Sequence, residues 1–330
     1  MQRSVLQERI KSVKDQDFDE LALAVFRYQA THNALYRQYL ELINVRQSEV
    51  SRLSDIPYLP IQLFKSHRIQ SGDWSPVASF SSSATTGAVP SEHLVRDEQW
   101  YRLNARAGFE HFYGPLEQYV ILALLPSYLE RSGSSLILMA DDFIQQSNPK
   151  LGGFYLYNQD DLLQQIESVS TSNDKTILLL GVSFALLELA EQKAPKLPAG
   201  TIVMETGGMK GRRRELTRQE LHQELSTAFG VTTIHSEYGM TELFSQAYSQ
   251  GQGLFMPCPS MRVSTREITD PLSVRTDSRT GVLNIIDLAN LDTISFIATE
   301  DLGKVHTDGS FEILGRLDAS EIRGCNLMVL

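Results

Sequence analysis

Four short stretches of this sequence gather hydroxyls, glycines and acids at spacings that could do chemistry. The first is Ser81-Ser82-Ser83-Ala84-Thr85-Thr86-Gly87, directly after a strand-like run at residues 77–80. Hydroxyls and backbone amides packed into one tight loop can hydrogen-bond phosphate oxygens. No Gly-Lys-Ser/Thr follows, so this is not a Walker loop, and taken alone such a stretch is more often a plain surface loop. The second is Tyr238-Gly239-Met240-Thr241-Glu242, just after a strand-like run at residues 231–235. Ligands of α/β sheets bind at the carboxyl ends of strands. There an aromatic ring could stack on a base, a glycine let backbone approach, a hydroxyl bind phosphate and a carboxylate hold Mg²⁺. A turn with an incidental acid is the plainer reading. The third is Asp301 in Thr299-Glu300-Asp301-Leu302-Gly303, a carboxylate able to accept both hydroxyls of a ribose. The fourth is Gly315-Arg316-Leu317-Asp318, where Arg316 could reach a phosphate or ribose.

Two cysteines, Cys258 and Cys325, make no disulfide framework, which favours a reducing cytosol and a cytoplasmic location. Cys258 lies between two prolines, a rigid setting that suits structure. Cys325 has Arg323 two residues away, which would favour the thiolate, although a free cysteine is often just a buried small residue. His67, His93 and His235 show no zinc-like spacing, and a histidine at a strand end is more often hydrogen-bonded structure than a reactive group. No Gly-x-Ser-x-Gly elbow is present, which argues against a hydrolase triad.

The elements that must position these groups are legible in outline. Residues 18–45 read as helix, with a capping-box-like Asp17-Phe18-Asp19-Glu20 at the start. Short apolar runs at 119–125, 176–180, 201–205 and 231–235 alternate with helical patterns at 184–192 and from Thr217-Arg218-Gln219-Glu220 to Gly230. This β-then-α rhythm implies a mostly parallel α/β sheet covered on both faces. After Gly251 the texture becomes β-rich, with strands at 281–287 and 295–299 and a hairpin signal at Asp308-Gly309. The expected organisation is an α/β body over 1–251, then a β-rich section and tail carrying Cys325 over 252–330.

Composition adds exclusions. A chain of 330 residues with 42% hydrophobic and 21% charged residues can bury a substantial core without staples. A net charge of −10 argues against a general nucleic-acid binder. No apolar run reaches the length of a membrane span. Against the acidic background stands Lys210-Gly211-Arg212-Arg213-Arg214, either a solvated run or a site for a phosphate-bearing ligand or acidic carrier protein.

Taken together and in this order, the four stretches resemble the hallmarks of the acyl-adenylate-forming superfamily. Pro60-Ile61-Gln62-Leu63-Phe64-Lys65-Ser66-His67, Pro90-Ser91-Glu92-His93 and Arg323-Gly324-Cys325-Asn326-Leu327 look most like its acyl-protein synthetase (LuxE-like) branch, over roughly residues 55–330. The resemblance implies an acyl-adenylate synthetase-like large domain of layered sheets and helices with a smaller β-rich section. It implies ATP and Mg²⁺ as cofactors, and a ligase that activates a carboxylic acid as acyl-AMP and passes the acyl group to a thiol. Ser82, Ser83, Thr85, Thr86 and Gly87 would cradle phosphate, and Gly207 and Gly208 would lie along adenine. Tyr238 and Gly239 would contact the base, Thr241 the α-phosphate, Glu242 the Mg²⁺, and Asp301 and Arg316 the ribose. Cys325 would accept the acyl group, with coenzyme A or a carrier pantetheine as the other acceptors. In the LuxE-like branch the acid is fatty and the partners are acyl reductase and transferase subunits; the residues themselves leave fatty, aryl and short acids open. Three departures stand out. Ala84 replaces a usual loop glycine, and Glu300 replaces a glycine beside the ribose acid. The sequence also stops a dozen residues after Asp318, so the C-terminal lid is expected to be absent or truncated, and naming Lys65 or Lys210 for its lysine would be a guess. A non-catalytic nucleotide- or acyl-carrier-binding homologue is the rival reading.

Overall fold

The structure, a computed structural model, describes residues 1–82, 89–125, 133–172, 174–207, 216–275 and 278–317. The chain opens with α1 (Arg3–Lys11), α2 (Phe18–His32) and α3 (Ala34–Leu42). The single helix expected over 18–45 is thus two. Asn33 breaks it, taking an extended backbone, capping α3 by accepting from the Tyr36 amide, and sending its amide group to the Thr293 carbonyl at 2.9 Å. Nor does Asp17 cap α2: a 3-10 turn at Asp15–Asp17 already places it in helical conformation, with no side-chain cap bond.

Then follow β1 (Leu59–Pro60), a 3-10 turn at Ile61–Lys65, β2 (Ala78–Ser81), β3 (Glu92–Val95) and α4 (Glu98–Tyr113). The next stretch alternates strand and helix: β4 (Tyr119–Leu124), α5 (Ser135–Gln146), β5 (Gly153–Phe154), α6 (Gln159–Ser172), β6 (Thr176–Val182), α7 (Ser183–Gln192), β7 (Ile202–Thr206), α8 (Arg218–Phe229) and β8 (Ile234–Tyr238). Strands β5, β4, β6, β7 and β8 pair side by side in parallel. Every residue of β4 is buried, as expected of a strand covered on both faces. The Thr217/Glu220 capping box forms at the start of α8 as the sequence predicts.

The remaining strands are β9 (Ala247–Ser249), β10 (Leu254–Pro257), β11 (Met261–Arg266), β12 (Gly281–Asp287), β13 (Phe296–Val305) and β14 (Phe311–Arg316). They are antiparallel and continue the same path in the order β8-β9-β10-β14-β13-β12-β11, with β1 added in parallel to β13. The β-rich texture read after Gly251 is this half. Among the described residues, no helix is long and apolar enough to cross a membrane.

Candidate active site

The parallel strands end on one side of the sheet, and the site collects there. Thr206 at the end of β7 pairs with Glu237 on β8, so Gly207 and Tyr238 emerge side by side. Gly207 has φ +68° and open space where a Cβ would stand. A flat, unobstructed backbone beside an aromatic ring is a surface a planar base can lie on. Tyr238 is the last residue of β8, not a residue beyond it, because the strand begins only at Ile234. Its ring meets Phe255 and Phe311 edge-on, with centroids 6.0 and 5.6 Å away. Its hydroxyl donates to Asp301 Oδ2 at 2.8 Å.

Asp301 and Arg316 face one another across β13 and β14, and the Arg316 Nε stands 4.0 Å from the other oxygen, Asp301 Oδ1. Arg316 also donates to Glu300 at 3.1 Å, and Glu300 accepts from Gln62 at 2.5 Å. Burial, with Glu300 adding, pushes the Asp301 carboxyl up, against the Tyr238 hydrogen bond and Arg316. Tyr238 holds one Asp301 oxygen, and the other, facing Arg316, makes no hydrogen bond among the described residues.

The segment after Tyr238 is held from all sides. A Cβ on Gly239 would stand 2.4 Å from Glu237 Oε1, so a larger residue there would have to displace that buried carboxyl. The Thr241 carbonyl faces His93 Nδ1 at 2.9 Å, while His93 Nε2 bonds Thr293 Oγ1 at 2.8 Å. Burial lowers the His93 pKa to about 4, so the ring is neutral and carries a proton on Nδ1 for that carbonyl. Asn290 donates to the Glu242 carbonyl at 2.8 Å. Asp287 accepts from the amides of Phe244 and Ser245 at 2.8 and 2.9 Å and from Ser245 Oγ at 2.6 Å. The Glu242 carboxyl is 7% exposed; burial pushes it up, and a hydrogen bond from Ser91 and the charges of Arg316 and Lys65 pull it back.

Ser91 links this segment to the hydroxyl-rich loop. Its amide donates to Ser82 Oγ at 2.8 Å, and the Ser82 amide donates to the Ser91 carbonyl at 3.1 Å. The base of that loop therefore abuts Glu242. Ser83, Thr85, Thr86 and Gly87 lie outside the described residues, as do Gly208, the basic run at 210–214, Asp318 and Cys325. Cys258 is buried, 3.2 Å from Ser260 Oγ, and burial pushes its thiol up, in keeping with a structural role. His235 is bonded to the Tyr113 hydroxyl at 3.1 Å, and exposed His67 to Ser66 Oγ at 2.8 Å.

No protein-family model and no curated protein matches this sequence. The fold is similar to part of solved coenzyme A synthetases. The o-succinylbenzoate coenzyme A synthetase MenE from Bacillus subtilis, in complex with AMP, superposes with a TM-score of 0.52 at 19% identity, over 73% of this chain and 50% of that one. The same synthetase as a double mutant bound to the product analogue OSB-NCoA gives 0.54 at 18%, over 74% and 49%. ATP-bound MatB from Rhodopseudomonas palustris gives 0.53 at 16%, over 72% and 48%. This chain thus spans about half the length of the structures it matches. The α/β adenylate-synthetase-like body expected from the sequence is the one observed.

Sequence reading passes over four groups that matter to this geometry: Asp287, Asn290, Glu205 and Glu237. Asp287 caps a short 3-10 turn at Leu288–Asn290 and Asn290 ends it, and an Asp/Asn pair just after a strand is the only local signal they give. Glu205 on β7 accepts from Ser183 Oγ at 3.0 Å, with Arg218 and His222 each 3.5 Å away. Burial opposes its charge, yet His222, Arg218 and Ser236 hold it below the usual carboxylate range. Glu237, on the neighbouring strand, accepts from the Thr206 hydroxyl; burial, with Glu205 adding, pushes it up to about 7.

Proposed function

We propose that this chain activates a carboxylic acid with ATP as an acyl-adenylate and passes the acyl group to a thiol. The observation that carries the reading is the Tyr238–Asp301 hydrogen bond at the open ends of β7 and β8, with Gly207 on one side and Arg316 and Glu242 on the other. In this reading Gly207 and Tyr238 would face the base, Asp301 and Arg316 the ribose, and Glu242 the metal on the phosphates. The donor set suits ATP. Among the described residues no group of three or more His, Cys, Asp or Glu side chains could hold a metal alone. Glu242 by itself fits Mg²⁺, which keeps most of its water and phosphate ligands and would supply charge neutralisation on the phosphates.

In the first step an oxygen of the acid's carboxylate bonds to the α-phosphorus, the bond from that phosphorus to the bridging oxygen breaks, and pyrophosphate leaves. The protein's part is positioning and charge. Asp301 would bind ribose hydroxyls through its free oxygen, Thr241 and the hydroxyl-rich loop would bind phosphate, and the ring of Tyr238 would orient the base. In the second step a thiolate attacks the acyl carbonyl and AMP leaves. The LuxE-like resemblance supports Cys325 as that thiol and a fatty acid as the acid, with coenzyme A or a carrier pantetheine as the other acceptors.

Acid-dependent exchange of labelled pyrophosphate into ATP, over acids of graded length, tests the reading. Exchange with at least one acid is expected, and silence across the panel leaves the non-catalytic nucleotide-binding protein instead. Replacing Cys325 by serine should then spare exchange and abolish covalent acyl labelling of the protein; persistent labelling overturns the self-acylation step.

A further inference from the structure

The 3-10 turn at Ile61–Lys65 is not among the stretches to which a nucleotide role has been given, yet it is tied to both lips of the cleft. It leaves β1, which pairs with β13 through Leu59–Ile297 and Pro60–Ala298, and so it enters just ahead of Glu300 and Asp301. Gln62 bonds Glu300 at 2.5 Å. Phe64 is buried with its ring 5.3 Å from that of His93, the residue that holds the Thr241 carbonyl. Two side chains of one short turn therefore fix its position against Asp301 on one side and Thr241 on the other.

Lys65 is the next residue of that turn. It is exposed and, among the described residues, its ammonium has no hydrogen-bond or ion-pair partner, while its charge reaches the Glu242 carboxyl. Glu242, Glu300 and Asp301 are gathered here, and the Arg316 guanidinium that faces them is already bonded to Glu300. A phosphate entering beside Glu242 meets an excess of negative charge unless a free cation faces it. We infer that Lys65 is a phosphate-contacting residue of this site: its ammonium donates to a phosphate oxygen of the bound nucleotide, held in place by Gln62 and Phe64. This rests on the nucleotide-binding reading above.

Calorimetric titration of the whole chain with adenosine, AMP and Mg-ATP separates the cases. Lys65→Ala should lower affinity for AMP and Mg-ATP by roughly 10- to 100-fold and leave adenosine within about twofold. Lys65→Arg should stay within about fivefold for all three. The inference is overturned if Lys65→Ala binds AMP like the wild type, or if it loses adenosine and AMP equally, which is the mark of a merely structural role. Wild-type protein that binds neither AMP nor adenosine instead defeats the nucleotide reading, and this inference with it.

Discussion

The two lips of the cleft are held in opposite ways. On one, Thr241, Glu242, Phe244 and Ser245 are bonded through their backbone to buried side chains from β3, from the end of β12 and from the turn that follows it. The backbone that carries Asn290 is braced in turn. Gln29 of α2 bonds the carbonyls of Asn290 and Leu291, and Arg3 of α1 grips Asp292 through two bonds of 2.6 Å. On the other lip, Asp301, Glu300 and Arg316 sit on neighbouring strands and hold one another by side-chain contacts, with the Arg316 side chain 64% exposed. The first lip offers the groups proposed for phosphate and metal, where displacement of an ångström is costly in rate. The second offers those proposed for ribose, where a side chain can adjust on binding. Buried hydrogen bonding is concentrated where the proposed chemistry is, and the N-terminal helices contribute to it.

The largest test of that contrast is Asp287. Its carboxylate accepts from the amides of Phe244, Ser245 and Ala289 and from the Ser245 hydroxyl, all buried. Asp287→Ala leaves these donors short of a partner and should destabilise the fold by about 2–4 kcal/mol, partly offset because a buried acid is also removed. Equilibrium urea unfolding measures it. A loss below about 1 kcal/mol would mean the first lip is not fixed by this network.

Next comes a pair of buried groups under the first lip whose titrations oppose each other. His93 has a folded pKa of about 4 against an ordinary 6.5, so the unfolded chain takes up its proton first as pH falls. Its stability contribution is full above pH 6.5 and is lost on acidification toward 4. Glu237 has a folded pKa of about 7 against an ordinary 4.5, so the unfolded chain releases its proton first as pH rises. Its contribution is full below about 4.5 and is lost on the way to 7. Each limb is worth roughly 3 kcal/mol, and in the wild type the two largely cancel. His93→Gln should therefore expose stability that falls between pH 4.5 and 7, and Glu237→Gln stability that rises between pH 4 and 6.5, so that Glu237→Gln exceeds the wild type at pH 8. Urea midpoints from pH 4.5 to 8 decide it; two variants whose profiles stay parallel to the wild type would remove this account.

Much of the fold that carries this contrast can be read from sequence, because the parallel strands are short buried apolar runs between helices with local stop signals. The run at 119–125 and the Thr217/Glu220 box need no distant partner to be recognised. The misreadings share a cause. Val231, Thr232 and Thr233 have strand-like side chains, but the chain needs those residues to return from α8 to the sheet, so β8 starts at Ile234. Asn33 reads as helix interior until Thr293, 260 residues away, claims its amide. Site residues behave alike. Tyr238, Thr241, Glu242 and Asp301 show in short motifs, whereas what fixes them, His93 on Thr241 or Asn290 on Glu242, spans 148 and 48 residues and leaves no local pattern.

The smallest expected effect lies on the second lip. Arg316 pairs with Glu300 at 3.1 Å and approaches Asp301 at 4.0 Å, from a guanidinium that is mostly in water. Exposed pairs of this kind are worth roughly 0–1 kcal/mol, because Coulomb attraction is screened and two long side chains lose rotamer freedom. Arg316→Ala should shift the urea-derived stability by less than about 0.5 kcal/mol in the absence of nucleotide. The same change should weaken AMP binding several-fold, since the cation facing Asp301 and Glu242 is gone. A stability loss above about 1.5 kcal/mol would show the second lip to be built into the fold as firmly as the first. The distinction between a fixed phosphate side and an adjustable ribose side would then have no basis.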